Sequence, residues 1–348
     1  MIHGELKTEA SYRAILMDSS SSLKEFSMDR KKYYRKYILG EKIEDDETKA
    51  ATMGRIVETK LMEPELFDDK FFPSVCETTP TEGMLKFVEA LYKYTKEATD
   101  EEGEVTRSFE EISRDAYADS GYKIAYEAVM KKFMGSEAEV YYQEIREVRT
   151  KGLTVVSVKD VTNAERIVEE LQNNPITAPI VNQTKTAKID VYNQLQVEGY
   201  TVHGHLFKSM MDKVIVDHEN KIIQIYDLKC TWSVEGFYKE YYLYRRAYIQ
   251  AFLYWHAGHY HFQDLVDLGY KVEYPRFIVC DSTNYFSPLV YTLDTEDMIN
   301  AREGFDYRGY KYPGVLEVID DLKWALANDV WNISRKNHLS GGIVNIKG

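Results

Sequence analysis

The stretch MMDKVIVDHENKIIQIYDLKCTW, residues 210–232, decides the fold. Both halves are rich in Val, Ile and Tyr, and apolar and polar side chains alternate along them, as in β-strands. Between the halves lies the polar tetrapeptide HENK, residues 218–221, which has the composition of a turn. The stretch therefore predicts two adjacent strands joined by a tight connection.

Two carboxylates and a lysine hold defined places on these strands. Asp212 begins the first strand, and Asp227 and Lys229 lie near the end of the second. Because side chains alternate across a strand, Asp227 and Lys229 share one face, whereas Leu228 and Tyr226 point to the other. Carboxylates from adjacent strands can hold Mg²⁺, and a nearby lysine can orient a water molecule and offset developing charge. The alternative is a surface ion pair at a strand end.

The rest of the chain surrounds these strands with helical patterns. The two strands are predicted over residues 202–217 and 221–229. Three more strands are predicted over residues 188–198, 274–280 and 288–293. Helices are predicted over residues 23–39, 47–62, 79–96, 121–134, 137–149, 158–172, 238–257, 295–305 and 315–328. This order predicts an α/β fold in which a mixed central sheet is flanked by helices, with helical N-terminal and inserted elements.

Composition limits the classes of function. The 348 residues include 57 acidic and 44 basic side chains, which give a net charge of −13. That balance excludes a uniformly basic coat for nucleic acid but leaves room for a locally basic groove. Three scattered cysteines cannot build a disulfide framework or a four-cysteine metal site. The sequence shows no secretory signal and no apolar run of about 18–20 residues, so we expect a cytoplasmic protein without a membrane partner.

A stripe of side chains on the helix predicted over residues 238–257 adds a second element. Tyr242, Arg246, Gln250 and Tyr254 recur every four residues and would therefore share one helix face. Their donors suit phosphate oxygens, and their rings suit sugar or base contacts. The alternative is a helix whose aromatic residues pack in the core and whose arginine is solvated.

Glu58 is the third element. On a helical wheel it falls within the apolar sector that contains Met53, Val57 and Leu61, opposite Ile56 and Thr59. A carboxylate in that sector must be paired, protonated or bound to a metal. The alternative is that Glu58 lies at the edge of the sector and meets a lysine.

The most basic segment of the chain lies near the N-terminus. Its cations are interleaved with three tyrosines, and an acidic protein must concentrate its cations to hold a polyanion. We therefore consider a DNA contact there, with a solvated helix face as the alternative. The candidate contact residues are Arg30, Lys31 and Arg35.

Four blocks of the sequence together resemble the PD-(D/E)XK nuclease superfamily, and within it the RecB/RecE-like branch of phage-type recombination exonucleases. The blocks are MDSSSSLKEFSMDRKKYYRKYILGE (17–41), MGRIVETKLMEPELF (53–67), Asp212 with Asp227-Leu-Lys229, and Gln250-x-x-x-Tyr254. The last 90 residues are only loosely similar to that branch. The resemblance implies a restriction-endonuclease-like core, with residues 1–348 forming one nuclease domain. Its parts would be a helical N-terminal part with an insertion over about 1–180, a catalytic sheet and helix over about 185–295, and C-terminal helices over about 295–348.

The resemblance also implies roles for particular residues. Asp212 and Asp227 would be metal ligands, with the Leu228 carbonyl completing the shell, and Lys229 would be the catalytic lysine. Glu58 stands where many RecB-like enzymes have a histidine, which shifts the expected site toward oxygen ligands alone. Gln250 and Tyr254 would position the scissile strand, and Arg246 would contact DNA.

The function implied by the resemblance is a Mg²⁺- or Mn²⁺-dependent exonuclease that resects duplex DNA ends for recombination or repair. Alternatives are a structure-specific endonuclease with the same site and a nuclease-like module that binds DNA or a protein without cutting. Implied partners are DNA, as duplex ends or single strands, and a single-strand annealing or binding protein. A homo-oligomeric ring is implied by analogy. The implied setting is the cytosol of a bacterium or of a phage-infected host.

Overall fold

The computed structural model describes residues 9–41, 49–74, 80–283 and 288–344. Residues 47, 48 and 79, which begin two predicted helices, lie outside the described residues. The α-helices are α1 (Glu9–Arg13), α2 (Ser20–Met28), α3 (Arg30–Tyr33), α4 (Lys49–Met62), α5 (Phe67–Lys70), α6 (Glu82–Glu97), α7 (Phe109–Ser120), α8 (Tyr126–Phe133), α9 (Glu137–Arg149), α10 (Val158–Asn173), α11 (Ala178–Val181), α12 (Ala247–His261), α13 (Gln263–Asp267), α14 (Thr295–Glu303), α15 (Val315–Asn328) and α16 (Arg335–Leu339). The strands are β1 (Phe71–Ser74), β2 (Thr154–Ser157), β3 (Ile189–Val202), β4 (His205–Asp217), β5 (Ile222–Thr231), β6 (Lys271–Val272), β7 (Arg276–Asp281), β8 (Leu289–Tyr291), β9 (Gly304–Tyr307) and β10 (Tyr310–Pro313).

Two compact units make up the chain. The sheet unit comprises Met1–Met62 and Ile167–Gly348, and the helical unit comprises Glu63–Arg166. The expectation of one nuclease domain over residues 1–348 stays a prediction.

The sheet unit is built on a six-stranded sheet in the order β3-β4-β5-β7-β8, with β6 paired to β5. Antiparallel pairing joins β3 to β4 and β4 to β5, whereas β5 runs parallel to β7 and β6. The turn predicted at residues 218–221 connects β4 and β5. The predicted mixed sheet is therefore confirmed.

Helices flank this sheet on both faces. Gly54 of α4 approaches the Cys230 side chain, and Gly258 of α12 approaches Ile225. Residues 225 and 230 of β5 are five positions apart and therefore point to opposite faces. The α12 face carries the main core, which includes Ile225, Leu253 and Tyr248. No helix in the described part of the chain is both long and apolar enough to cross a membrane.

The helical unit has a core of its own. Its buried residues include Phe87, Leu91, Phe133 and Tyr142, contributed by α6, α8 and α9. Strands β1 and β2 pair in parallel within this unit. That two-stranded sheet was not predicted, because each strand is only four residues long.

The helix predicted over residues 238–257 is wrong in its limits. Tyr238–Tyr244 forms a π-helical turn, Arg246 is left-handed with φ of 54°, and α12 begins only at Ala247. At the other end, α12 continues through Gly258 to His261. A Cβ on Gly258 would lie 2.7 Å from the Ile225 Cδ1 atom. The glycine therefore allows close helix–sheet packing and does not end the helix.

Candidate active site

Asp212 and Asp227 meet where β4 and β5 stop pairing. The ladder between these strands runs from Asp217↔Ile222 to Lys213↔Tyr226 and goes no further. Beyond it, the Asp212 carboxylate accepts a hydrogen bond of 2.7 Å from the Leu228 backbone N–H. A side chain thus replaces the missing strand partner, and the gap between the strands is lined by carboxylates. Asp212 lies within β4, not at its start as expected.

The Asp227 carboxylate is the most enclosed polar group of this cluster. It is 1% exposed, and its Oδ1 atom accepts a hydrogen bond of 2.7 Å from Gln250 Nε2. Its Oδ2 atom forms an ion pair with Lys229 Nζ, as the shared strand face predicts. Apart from that ion pair, the buried Oδ2 atom accepts no hydrogen bond from the described residues.

Charge crowding shifts the proton affinity of the cluster. Burial raises the pKa of Asp212 well above its ordinary value, and the neighbouring charges of Asp227 and Glu58 raise it further. Burial acts to lower the pKa of Lys229, but the attraction of Asp227 and Asp212 outweighs it, so that pKa is raised. Lys229 therefore stays charged at neutral pH, whereas the carboxylates repel one another. A cation between them would relieve that repulsion.

Glu58 lies on α4, and its charge acts on Asp212. It is half-buried, and its Oε1 atom accepts a hydrogen bond of 2.6 Å from Gln194 Nε2. The expected apolar sector of its helix was too narrow, because Ile56 and Thr59 are also buried. The role of Glu58 as a ligand stays a prediction.

The donor set suits a hard divalent cation in part. Among the described residues, no three His, Cys, Asp or Glu side chains are grouped closely enough to hold a metal ion. Asp212 and Asp227 do converge, and the Leu228 carbonyl lies beside Lys229 Nζ at 3.3 Å. The observation that fits a metal is the pair of buried carboxylates, in which the charge of Asp227 acts against ionisation of Asp212, since carboxylate and carbonyl oxygens are ligands that Mg²⁺ takes.

Gln250 and Tyr254 both lie at the cluster, one turn apart on α12. Gln250 Nε2 also donates to the Tyr254 hydroxyl at 2.9 Å, and that hydroxyl donates to the Met210 carbonyl at 2.6 Å. Both side chains are buried. They hold Asp227 and β4 in place, and their predicted contact with a DNA strand stays a prediction.

Arg246 does not belong to the predicted stripe. Because the chain is left-handed there, its guanidinium turns away and donates to the Ser27 carbonyl at 2.6 Å. Its predicted role in DNA binding has no support from this placement.

Two cations near the cluster were missed. Lys24 of α2 donates to Gln250 Oε1 at 3.2 Å, and Arg245 lies near enough to Lys24 to repel its charge. Lys24 is separated from Gln250 by 226 positions, so no local periodicity reveals the contact. Arg245 could be found only by knowing that the helix breaks beside it.

The basic N-terminal segment folds as α2, α3 and a π-helical turn at Tyr34–Ile38. Arg30 donates to Asp321 at 3.0 Å and lies over the Phe26 ring. Arg35 donates to Glu41 at 2.6 Å, and Lys31 is exposed. Arg30 and Arg35 therefore already have carboxylate partners. The DNA contact predicted for this segment stays a prediction.

Comparison with known proteins gives little beyond this geometry. No protein-family model matches the chain, and no curated protein matches it in sequence. A crystal structure from Eubacterium rectale, named "Putative exonuclease", is similar with a TM-score of 0.48 and 12% identity. The match covers 98% of this chain and 89% of that one.

Proposed function

We propose that the protein is a metal-dependent nuclease that hydrolyses phosphodiester bonds in DNA, acting as an exonuclease on duplex ends. The observation that carries the proposal is the pair of buried carboxylates, Asp212 and Asp227, at the gap between β4 and β5 with Lys229 against them. Burying repelling carboxylates is costly unless they serve a bound cation.

The residues that would hold Mg²⁺ or Mn²⁺ are Asp212, Asp227 and the Leu228 carbonyl, with Glu58 completing the set. The burial of the two neighbouring carboxylates, Asp212 and Asp227, supports this assignment. When bound, the ion would polarise the phosphate and lower the pKa of a water molecule.

The protein side chains would supply orientation and charge. Lys229, held charged by Asp227 and Asp212, would orient the attacking water and offset the charge that develops on the phosphate. Gln250 fixes the Asp227 carboxylate through Oδ1, which leaves Oδ2 directed toward Lys229. Hydrolysis would proceed by direct attack of water, without a covalent intermediate.

The family resemblance extends the proposal to the biological setting. Resection of duplex ends for recombination or repair would leave single strands, so a single-strand annealing or binding protein would be the functional partner. A ring of subunits around DNA belongs to the same analogy.

The test is incubation with end-labelled linear duplex and with closed circular DNA, in Mg²⁺ and in EDTA. The proposal expects degradation of the linear DNA in Mg²⁺ alone, with circles left intact. Nicked circles would instead indicate an endonuclease. No metal-dependent cleavage of either substrate would refute the nuclease, and binding without cleavage would indicate a DNA-binding module.

A matched pair of lysine variants assigns the cleavage to this site. Lys229→Ala removes the site lysine, whereas Lys188→Ala removes an exposed lysine at the opposite end of the sheet, where it pairs with Glu219. We expect Lys229→Ala to lose cleavage by a factor of about 10²–10³ and to keep DNA binding. A fully active Lys229→Ala variant would refute the assigned site.

A further inference from the structure

Lys24 lies one side chain away from the carboxylate cluster. Its Nζ atom donates to Gln250 Oε1 at 3.2 Å, and the same amide donates through Nε2 to Asp227 at 2.7 Å. The lysine is partly buried, so its charge is poorly compensated by water. It therefore presents a cation beside the site on the face covered by α12.

Arg245 is brought to the same place by the break before α12. Its guanidinium lies over the Tyr241 ring, 4.5 Å from the centroid. The Tyr241 hydroxyl donates at 3.0 Å to the carbonyl of Cys230, the residue after Lys229. The ring anchors the arginine to the end of β5, next to the site lysine.

Lys24 and Arg245 lie near enough for their charges to interact, and the carboxylate whose charge also acts on Lys24 is Asp227. In the described part of the chain, Lys24 contacts an amide oxygen and Arg245 contacts an aromatic ring. Lys229 repels the charge of Lys24 more strongly than Arg245 does, and Asp227 attracts it. Lys24 and Arg245, gathered beside Lys229 within a protein of net charge −13, have the chemistry of an anion site.

The neighbouring chemistry selects the anion. A carboxylate ligand would be served by one arginine fork, whereas a phosphodiester offers oxygens to a lysine and an arginine together. Arg245 lies over the Tyr241 ring and is exposed to solvent. Gln250 links Lys24 to Asp227 through its two amide atoms, so a phosphate held by Lys24 would lie next to the phosphate at the carboxylates.

We infer that Lys24 and Arg245 form a phosphate-binding subsite that holds the nucleic-acid strand at the phosphodiester adjacent to the cleaved bond. This inference rests on the proposed nuclease function, because only a nuclease has a bond to cleave. The binding of a phosphate at these two cations can be measured without any cleavage.

The experiment measures binding of a fluorescent single-stranded oligonucleotide by the full chain in EDTA, across a series of salt concentrations. Lys24→Met removes the charge and keeps an apolar stem, and Arg245→Gln removes the charge at an exposed position. Lys188→Ala is the control for losing one positive charge at a distance. Thermal melting of each variant reports whether it folds.

The inference expects each of the two variants to bind about tenfold more weakly at low salt. The slope of log affinity against log salt should fall by about one for each cation lost. Lys188→Ala should change neither quantity. Lys24→Arg, which keeps the charge, should bind nearly as well as the wild type.

Two results would overturn the inference. One is unchanged affinity and salt slope in folded Lys24→Met and Arg245→Gln. The other is a loss of affinity with an unchanged salt slope, since that indicates a structural effect without phosphate neutralisation. Because the binding assay contains no metal, its result does not depend on cleavage. Absence of cleavage in the separate assay with Mg²⁺ would refute the proposed nuclease and leave this binding result standing.

Discussion

At the scale of single residues, the protein buries two neighbouring carboxylates, which is energetically unfavourable. Asp212 and Asp227 are 8% and 1% exposed, and burial together with the charge of Asp227 raises the pKa of Asp212. Gln250 offsets part of that cost with one hydrogen bond to Asp227. Carboxylates with a perturbed pKa cluster at functional sites, and this is the physical basis of the proposed metal site.

Asp212→Asn should stabilise the metal-free protein. The pKa of Asp212 is raised by burial above its ordinary value of 3.8, so the folded state holds its proton longer than the unfolded state. Stability contributed by this group therefore falls as pH rises above that value. Asparagine still accepts the Leu228 N–H and carries no charge. We expect a gain of about 1 kcal/mol at pH 8 and little at pH 4.

Thermal melting in EDTA at the two pH values measures this gain. Addition of Mg²⁺ should raise the melting temperature of the wild type more than that of Asp212→Asn. A variant that is less stable than the wild type at pH 8 would contradict the assigned repulsion.

Gln250→Leu should destabilise the fold. It leaves the buried Asp227 Oδ1 atom without its donor, which costs about 1–3 kcal/mol. The matched control is Gln263→Leu, where an exposed glutamine donates to Asp267 and the cost should stay below about 0.5 kcal/mol. Urea unfolding of both variants measures the difference. Equal losses of unfolding free energy in the two variants would show that the buried Gln250 hydrogen bond stabilises the fold no more than an exposed one.

At the scale of elements, α12 is held close to β5 by the absence of one side chain. The hydrogen of Gly258 faces the Ile225 Cδ1 and Val272 Cγ1 atoms, and any Cβ there would crowd both. The same helix carries Gln250 and Tyr254 to the carboxylates. The distance between helix and sheet therefore sets the geometry of the site.

Gly258→Ala should push α12 from the sheet and cost about 1–3 kcal/mol. Ile225→Val removes the Cδ1 atom that a new Cβ would meet, and should alone cost about 0.5–1.5 kcal/mol. The double variant Gly258→Ala/Ile225→Val should lose less stability than the two single variants together, because the new Cβ no longer meets the Cδ1 atom. Ile223→Val, on the same strand and face, is the control and should add to Gly258→Ala without coupling. Additive costs for the Ile225 pair would show that the helix is not limited at this contact.

At the scale of the whole molecule, the net charge of −13 restricts how DNA can bind. Several cations of the basic segment are already engaged, as Arg30 is by Asp321 and Arg35 by Glu41. Among the described residues, Lys24 and Arg245 add positive charge near the carboxylates, beside Lys229, which is paired with Asp227. DNA should therefore be held along a narrow track, not by a basic coat.

The salt dependence of binding measures the width of that track. With Lys229→Ala in EDTA, affinity for duplex DNA should fall by less than about a thousandfold between 50 and 200 mM salt, because few phosphates are neutralised. Six to ten contacts, as in a broad basic surface, would lose about 10³–10⁵ over that range. A loss of affinity by a factor of about 10³–10⁵ between 50 and 200 mM salt would contradict a narrow track.

The amino-acid sequence by itself determined the local features of this protein. Alternation over residues 210–232 identified two adjacent strands and the turn at 218–221, and it placed Asp227 and Lys229 on one face, where they form an ion pair. Strong periodicity also located α15 at Val315–Asn328. These features depend on neighbours in the chain, so their physical causes can be read from spacing alone.

Tertiary structure decided what lies between distant parts of the chain. It ended the β4–β5 ladder beside Asp212, turned Arg246 to Ser27, and brought Lys24 to Gln250. Helical spacing could not foresee the left-handed residue that breaks the predicted stripe, since its conformation is set by packing around it. Contacts across more than 200 positions arise from burial in a common core, and burial is a property of the assembled fold.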